Sequence, residues 1–326
     1  MVASRRCILK TFAMAVYQAE PFYLPATDAL RFLPECPRVL RSRPDTLGWV
    51  AIQESAESDR GSLNLLNLRT LANDSHPLPG RPGFFAETDR EDVVVIGMER
   101  TLVLYDMRRR RIASEPFVVT EDERVIINDG LSVEGGLLFG TKHTTFKERI
   151  ACMYFFETAL GRLHTLHAEQ ICANGKFLHN GGLVDIDSFN KTLDYYPVDM
   201  HAHRLGERRI IADFRETPLF PDGLRPAPGF GSVVVAFYNP EAAPEGVARE
   251  FAISDGAVRN EWRLAGSPRV TCPEVLRLDG RVRVLFTTAV EGMNPVMPKA
   301  GAMYIGDSPY TEVSPAPPLF EASALD

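Results

Sequence analysis

The chain has 326 residues, with 36 Lys and Arg against 43 Asp and Glu and a formal net charge of −7. Its 45% hydrophobic and 24% charged residues are the composition of a globular protein with a sizeable core. An acidic balance argues against nucleic-acid binding, which needs a basic face to displace counterions from phosphates. No apolar run approaches the roughly 20 residues that cross a bilayer as a helix.

Residues 1–20, with Arg5-Arg6 ahead of a mildly apolar stretch broken by Lys10, read as an extension that is helical or disordered. Residues 21–310 read as one domain, and the Pro-rich residues 311–326 as a closing tail. Through the domain, helical periodicity is scarce. Short runs of β-branched and aromatic residues recur instead: Asp92–Ile96, Thr101–Tyr105, Gly136–Phe139, Ser232–Phe237 and Arg283–Thr288. Each is bounded by Gly, Pro, Asp or Asn, which predicts strands joined by tight turns. The basic run Arg108–Arg111 reads as a solvated hairpin turn. Five cysteines without a C-x-x-C pair form neither a disulfide framework nor a zinc knuckle, and predict reduced thiols in a cytoplasmic protein.

A weak repeat runs through the chain. Short polar turn motifs hold Glu35 (LPECP), Asn128 (INDG), Asn174 (CANG) and Asp222 (FPDG), at steps of 93, 46 and 48 residues. Further positions near residues 82 and 270 complete six slots of about 47 residues, the size of a four-stranded antiparallel blade. The expected fold is an all-β, six-bladed β-propeller. In such a ring, residues one blade apart meet at one mouth of the central channel. Glu35, Asn128, Asn174 and Asp222 then converge, all offering oxygen and two of them anionic, which suits a hard divalent cation. Asn-Gly and Asp-Gly are also ordinary turn sequences, because Asn, Asp and Gly tolerate positive φ. The phase of the four with the repeat favours ligation.

The same motifs, in the same order, resemble the senescence marker protein/regucalcin/gluconolactonase family of six-bladed propellers. LPECPRV is similar to the family's metal-glutamate motif, and INDGLSVEGGLLFGTKH to its N-D-G segment. ANG with DIDS, FPDGL with VAFYNP, and RVTCPEV with LFTTAVEGM resemble later segments. The likeness spans roughly residues 30–306. It implies one divalent metal ion (calcium foremost, with magnesium, manganese or zinc as options) held by Glu35, Asn174 and Asp222, with Asn128 as a fourth ligand or a substrate contact. It also implies hydrolysis of a sugar or related lactone. In that chemistry Asp222 serves as ligand and base while Glu35 mainly holds the ion, the cation polarises the carbonyl, and water attacks.

This chain departs from the family pattern in several places. Ile126 stands where the family often has a substrate-binding arginine, and Arg124 is two residues further back. Val39 replaces a tryptophan. These changes bear on the substrate more than on the metal. Further substrate contacts are expected from Lys142 and His143, in the loop Thr141–Arg149, and from Glu291–Lys299. Alternatives are a metal-dependent esterase or phosphotriesterase, or a non-catalytic calcium-binding propeller. The expected partner is a small lactone, with no nucleic acid and no membrane, and the chain is expected to be a monomer or weak homodimer. His164-x-x-His167 and His201-x-His203 suggest zinc, but neither pair has a third ligand nearby in sequence. Trp49 and Trp262 are expected in the core.

Overall fold

The structure, a computed structural model, describes residues 14–326. The basic N-terminal segment with Arg5-Arg6 and Lys10 lies outside the described residues. The architecture is all-β, with one five-residue helix, Asp28–Phe32, and two short 3-10 turns among the described residues. The helix is capped by Thr27, whose Oγ1 accepts a hydrogen bond from the Leu30 amide at 3.3 Å.

The strands form antiparallel meanders, most of four strands. The first is Pro34–Val39, Thr46–Ala51, Gly61–Asn67 and Asn73–Leu78. The second is Pro82–Glu87, Val93–Met98 and Thr101–Asp106, edged by Arg111–Ile112 and Phe117–Val118. Arg108–Arg111 at its hairpin is exposed, as the sequence suggests. The third is Val125–Val133, Gly136–His143, Ala151–Glu157 and Arg162–Gln170. The fourth is Ala173–His179, Gly182–Asp187 and Thr192–Asp199, edged by Arg204–Leu205 and Arg209–Asp213. An eight-stranded sheet holds the rest. In it Phe220–Pro226 to Val258–Ala265 is one antiparallel run, and Val270–Leu278, Arg281–Thr288, Met303–Asp307 and Ala15–Tyr23 are another.

The first strands of these runs contact one another in chain order, and Val270–Leu278 returns to Pro34–Val39, closing a ring around an axis. Sheets packed face to face bury their middle strands on both sides. That is why Val93–Met98 and Ser232–Tyr238 read as unbroken apolar runs without alternation. Apolar clusters fill the spaces between sheets, and Trp49 and Trp262 are fully buried. Each indole N–H finds an acceptor, the Asn73 Oδ1 at 3.0 Å and the Asp307 carbonyl at 2.8 Å.

One expectation at the chain ends needs correction. Residues 15–20 are neither helical nor detached: they belong to the strand Ala15–Tyr23, antiparallel to Met303–Asp307 (Ala19 opposite Gly306) and parallel to Val258–Ala265 (Tyr17 beside Trp262). This strand thus joins the two runs of the eight-stranded sheet, and it pairs edges of Val258–Ala265 and Met303–Asp307 that would otherwise expose unpaired backbone groups. The tail after residue 310 is also packed. Phe320 is buried and bridges Thr88, and Asp326 pairs with Arg90.

Candidate active site

Every strand of the ring breaks its pairing register at a similar depth. The irregularities lie between Glu35 and Arg38, Pro82 and Phe84, Ile127 and Gly130, Ala173 and Lys176, Pro221 and Leu224, and Val270 and Cys272. Glu35, Asn128, Asn174 and Asp222 sit at four of these bulges. A bulge adds a residue to one strand and re-aims its side chain, so the turn-like Asn, Asp and Gly residues of the sequence serve bulges inside strands rather than turns between them. Close packing of the ring demands small residues here. A Cβ on Gly175 would lie 2.5 Å from the Leu224 nitrogen and 2.9 Å from the Asp222 carbonyl oxygen. Beside Glu35, Cys36 takes a left-handed φ of 50°, a strained conformation for a residue with a side chain.

The two amides are oriented by their nitrogens. Asn128 donates through Nδ2 to the Ala173 carbonyl at 2.9 Å. Asn174 donates through Nδ2 to Ser188 Oγ at 3.1 Å, and Ser188 Oγ donates in turn to the Pro221 carbonyl at 2.7 Å. A carbonyl can only accept, so these bonds fix which end of Asn128 is the oxygen and settle the Asn174 amide through Ser188. The oxygen ends stay available for a cation.

The carboxylates repel one another. Glu35 is pushed well above the usual carboxylate range by burial, then by the charges of Asp222 and Asp129, against the pull of Lys142. Asp222 is pushed well up by burial and Asp129, while Lys142 and the Asn174 amide oppose the rise. Carboxylates gathered in this way are stabilised by a divalent cation, and an all-oxygen set with oriented amides fits calcium-like ions. Glu35, Asn174 and Asp222 are the residues that fit such an ion.

Of the expected substrate contacts, Asn128 lies at the hub. Lys142 is near enough for its charge to act on both Glu35 and Asp222. Ile126 pairs across the strands with Lys142 and is buried. Arg124 and His143 are engaged elsewhere. Arg124 does not reach inward: its guanidinium is held at the rim by Asp122 at 2.7 Å and Glu148 at 2.9 Å. His143 follows Lys142 and so faces the other side of the strand, where its Nδ1 accepts the Thr145 amide at 3.0 Å and organises the loop.

Sequence reasoning missed Asp129. Strict alternation would send it away from Asn128, but the bulge suspends alternation, and the Asp129 charge reaches both Glu35 and Asp222. It also missed the buried Arg225, which braces the strands by donating to Glu274 at 3.0 Å and to the Pro37 carbonyl at 3.2 Å. Three thiols near the hub, Cys36, Cys172 and Cys272, are held neutral by burial.

Aromatic side chains line the rim. Phe146 and Phe189 stack with centroids 5.1 Å apart, and Phe220 lies 5.3 Å beyond Phe189. Phe189 follows Ser188 and Phe220 precedes Pro221, so this row adjoins the bonds that hold Asn174. At the same end, a groove of about 400 Å³ is lined by Arg31, Phe32, Val290 and Met297 among others.

A family described as the SMP-30/gluconolactonase/LRE-like region matches residues 33–288. The chain belongs to this family. Solved structures share the fold of this family member at low identity. A calcium-binding protein, regucalcin, from Agrobacterium tumefaciens is 19% identical, with 95% of this chain and 100% of that one covered and a TM-score of 0.79. A luciferin-regenerating enzyme is 15% identical, with 88% and 95% covered and a TM-score of 0.75. A gluconolactonase from Xanthomonas campestris is 14% identical, with 92% and 99% covered and a TM-score of 0.62. No curated protein gives a significant match. Among the described residues no helix is long and apolar enough to cross a membrane.

Proposed function

We propose that the protein is a metal-dependent lactonase built on a six-bladed propeller, the eight-stranded sheet counting as two blades joined by Ala15–Tyr23. The observation that carries this reading is that residues far apart in sequence share one buried, oxygen-lined hub, where the charges of Asp222 and Asp129 act on Glu35 and that of Asp129 acts on Asp222.

Glu35, Asn174 and Asp222 hold the ion, calcium foremost. When bound, the cation supplies Lewis acidity toward the lactone carbonyl. Asp222, whose carboxyl is held above the usual range by burial and the Asp129 charge, accepts the proton of the attacking water. Asn128 orients the substrate with its pinned amide. Lys142 offers an ammonium to oxygen on the substrate, and the ring opens to a hydroxy acid without a serine nucleophile.

The rim favours a particular kind of substrate. Phe146, Phe189 and Phe220 present apolar surface, and a buried Ile126 stands in place of an arginine, where a polyhydroxylated sugar would need hydrogen bonds. This supports lactones with an apolar or aromatic portion, and a second reading as an aryl esterase or phosphotriesterase. Proton release from aldonolactones, alkyl and aryl lactones, aryl esters and a phosphotriester, each with calcium and with chelator, separates these readings. Metal-dependent turnover of lactones is expected, greatest for the apolar ones. Turnover of esters or phosphotriesters alone selects the second reading. Calcium binding with no turnover of any substrate overturns both.

A further inference from the structure

Away from the hub, three side chains from two neighbouring sheets meet at the outer edge. Glu157 ends the strand Ala151–Glu157, and His164 lies on the adjacent strand Arg162–Gln170. His203 belongs to the fourth sheet, in the turn between Thr192–Asp199 and Arg204–Leu205. Glu157 Oε2 is 3.0 Å from His164 Nε2 and 3.5 Å from His203 Nε2. Among the described residues this is the group of His, Cys, Asp and Glu whose ligand atoms all lie within 4.8 Å of one another.

We infer that Glu157, His164 and His203 form a second metal site, for zinc or a similar late first-row ion, that staples the third sheet to the fourth. The donor set of two imidazoles and one carboxylate is borderline-soft and suits such ions rather than calcium. The spacing also fits. Ligands about 2.0–2.1 Å from a tetrahedral zinc stand about 3.3 Å from one another, and the observed 3.0 and 3.5 Å bracket that edge. Three protein ligands leave the fourth position to water.

The local structure prepares this arrangement. His203 adopts a left-handed φ of 49°, which His tolerates better than most residues. Asp199 Oδ1 accepts the amides of His201 and Ala202, each at 3.0 Å, and so builds the turn that presents His203. The Phe155 ring lies against both imidazoles, at 6.4 Å from His164 and 5.9 Å from His203. The two imidazoles stack 3.5 Å apart and within 10° of parallel. An ion in the plane of both therefore requires them to splay about their Cβ–Cγ bonds. Their side chains are 17% and 22% exposed, so the site lies at the surface rather than in the core. The sequence pairs His164 with His167 and His201 with His203. The fold instead takes one histidine from each pair and adds a glutamate from the neighbouring strand, the third ligand that spacing alone does not show.

The test uses the full chain carrying Asp222→Asn, so that metal at the hub does not obscure the result. Zn²⁺ titration by calorimetry is expected to show one equivalent bound with micromolar or tighter affinity. Zinc is expected to raise the unfolding midpoint by several degrees, and Co²⁺ to give the visible absorption bands of a tetrahedral site. His164→Gln and His203→Gln each abolish all three effects, while His201→Gln, in the same turn, leaves them intact. Absence of binding in the Asp222→Asn chain overturns the proposal, as does zinc uptake undiminished in both His164→Gln and His203→Gln. The result is independent of whether the hub hydrolyses lactones.

Discussion

Ser188 is the partner that aims Asn174: its hydroxyl accepts the Asn174 amide at 3.1 Å and donates to the carbonyl of Pro221, next to Asp222, at 2.7 Å. One hydroxyl thus couples two of the proposed ligands. Ser188→Ala frees the Asn174 amide to turn. Calcium affinity is expected to fall about tenfold, in the range for loss of a group that orients a metal ligand. Calorimetric titration reads the loss, and an unchanged melting temperature of the metal-free protein separates it from unfolding.

Asp222→Asn removes both a charge at the hub and the proposed base. Metal-dependent hydrolysis is expected to drop by about 10²-fold or more, while circular dichroism stays native. Retention of full activity on the best lactone would falsify the assignment of Asp222.

Lys142 opposes a cation. Lys142→Met removes a like charge from the neighbourhood of Glu35 and Asp222, so calcium affinity is expected to rise about tenfold. Turnover is expected to fall at the same time, because an ammonium facing the substrate is lost. Measuring affinity and kcat on the same preparation checks both signs.

Gly175→Ala places a methyl against backbone atoms of the next strand, which yield only if that strand shifts. The expected loss of stability is about 3 kcal/mol, read by urea unfolding. Calcium affinity is expected to fall with it, since the atoms displaced include the Asp222 carbonyl.

Asp185 supplies a pH dependence. Burial pushes its carboxyl up to about 7, despite Lys176 and a hydrogen bond from Gln170. The unfolded chain releases that proton near the ordinary aspartate value of about 3.9. Between those values the native protein holds the extra proton, so its stability declines as pH rises from about 4 to 7 and then levels off. Asp185→Asn is expected to flatten this decline in melting temperature, with the larger gain at alkaline pH. An identical slope in the variant refutes the assignment.

Much of the hub was legible because its residues recur in phase. Glu35, Asn128, Asn174 and Asp222 could be gathered from their spacing once a ring was assumed. What escaped depends on local departures from regularity. Asp129 joins the hub through a bulge, which alternation does not foresee. Arg124 and His143 were placed by strand parity and by resemblance, but nearby carboxylates and loop amides claim them first. The strand Ala15–Tyr23, with a proline and alternating exposure, carries little apolar signal of its own, and its partners are remote in sequence.

That strand has a kinetic consequence. Ala19 is synthesised long before its partner Gly306. At about 5–20 residues per second, synthesis of the intervening chain takes on the order of half a minute. Throughout that time the nascent polypeptide carries an unmatched hydrogen-bonding edge, so closure of the ring waits for the last strands, and a chaperone that shields this segment during synthesis should raise the yield of native protein more than one that acts afterwards.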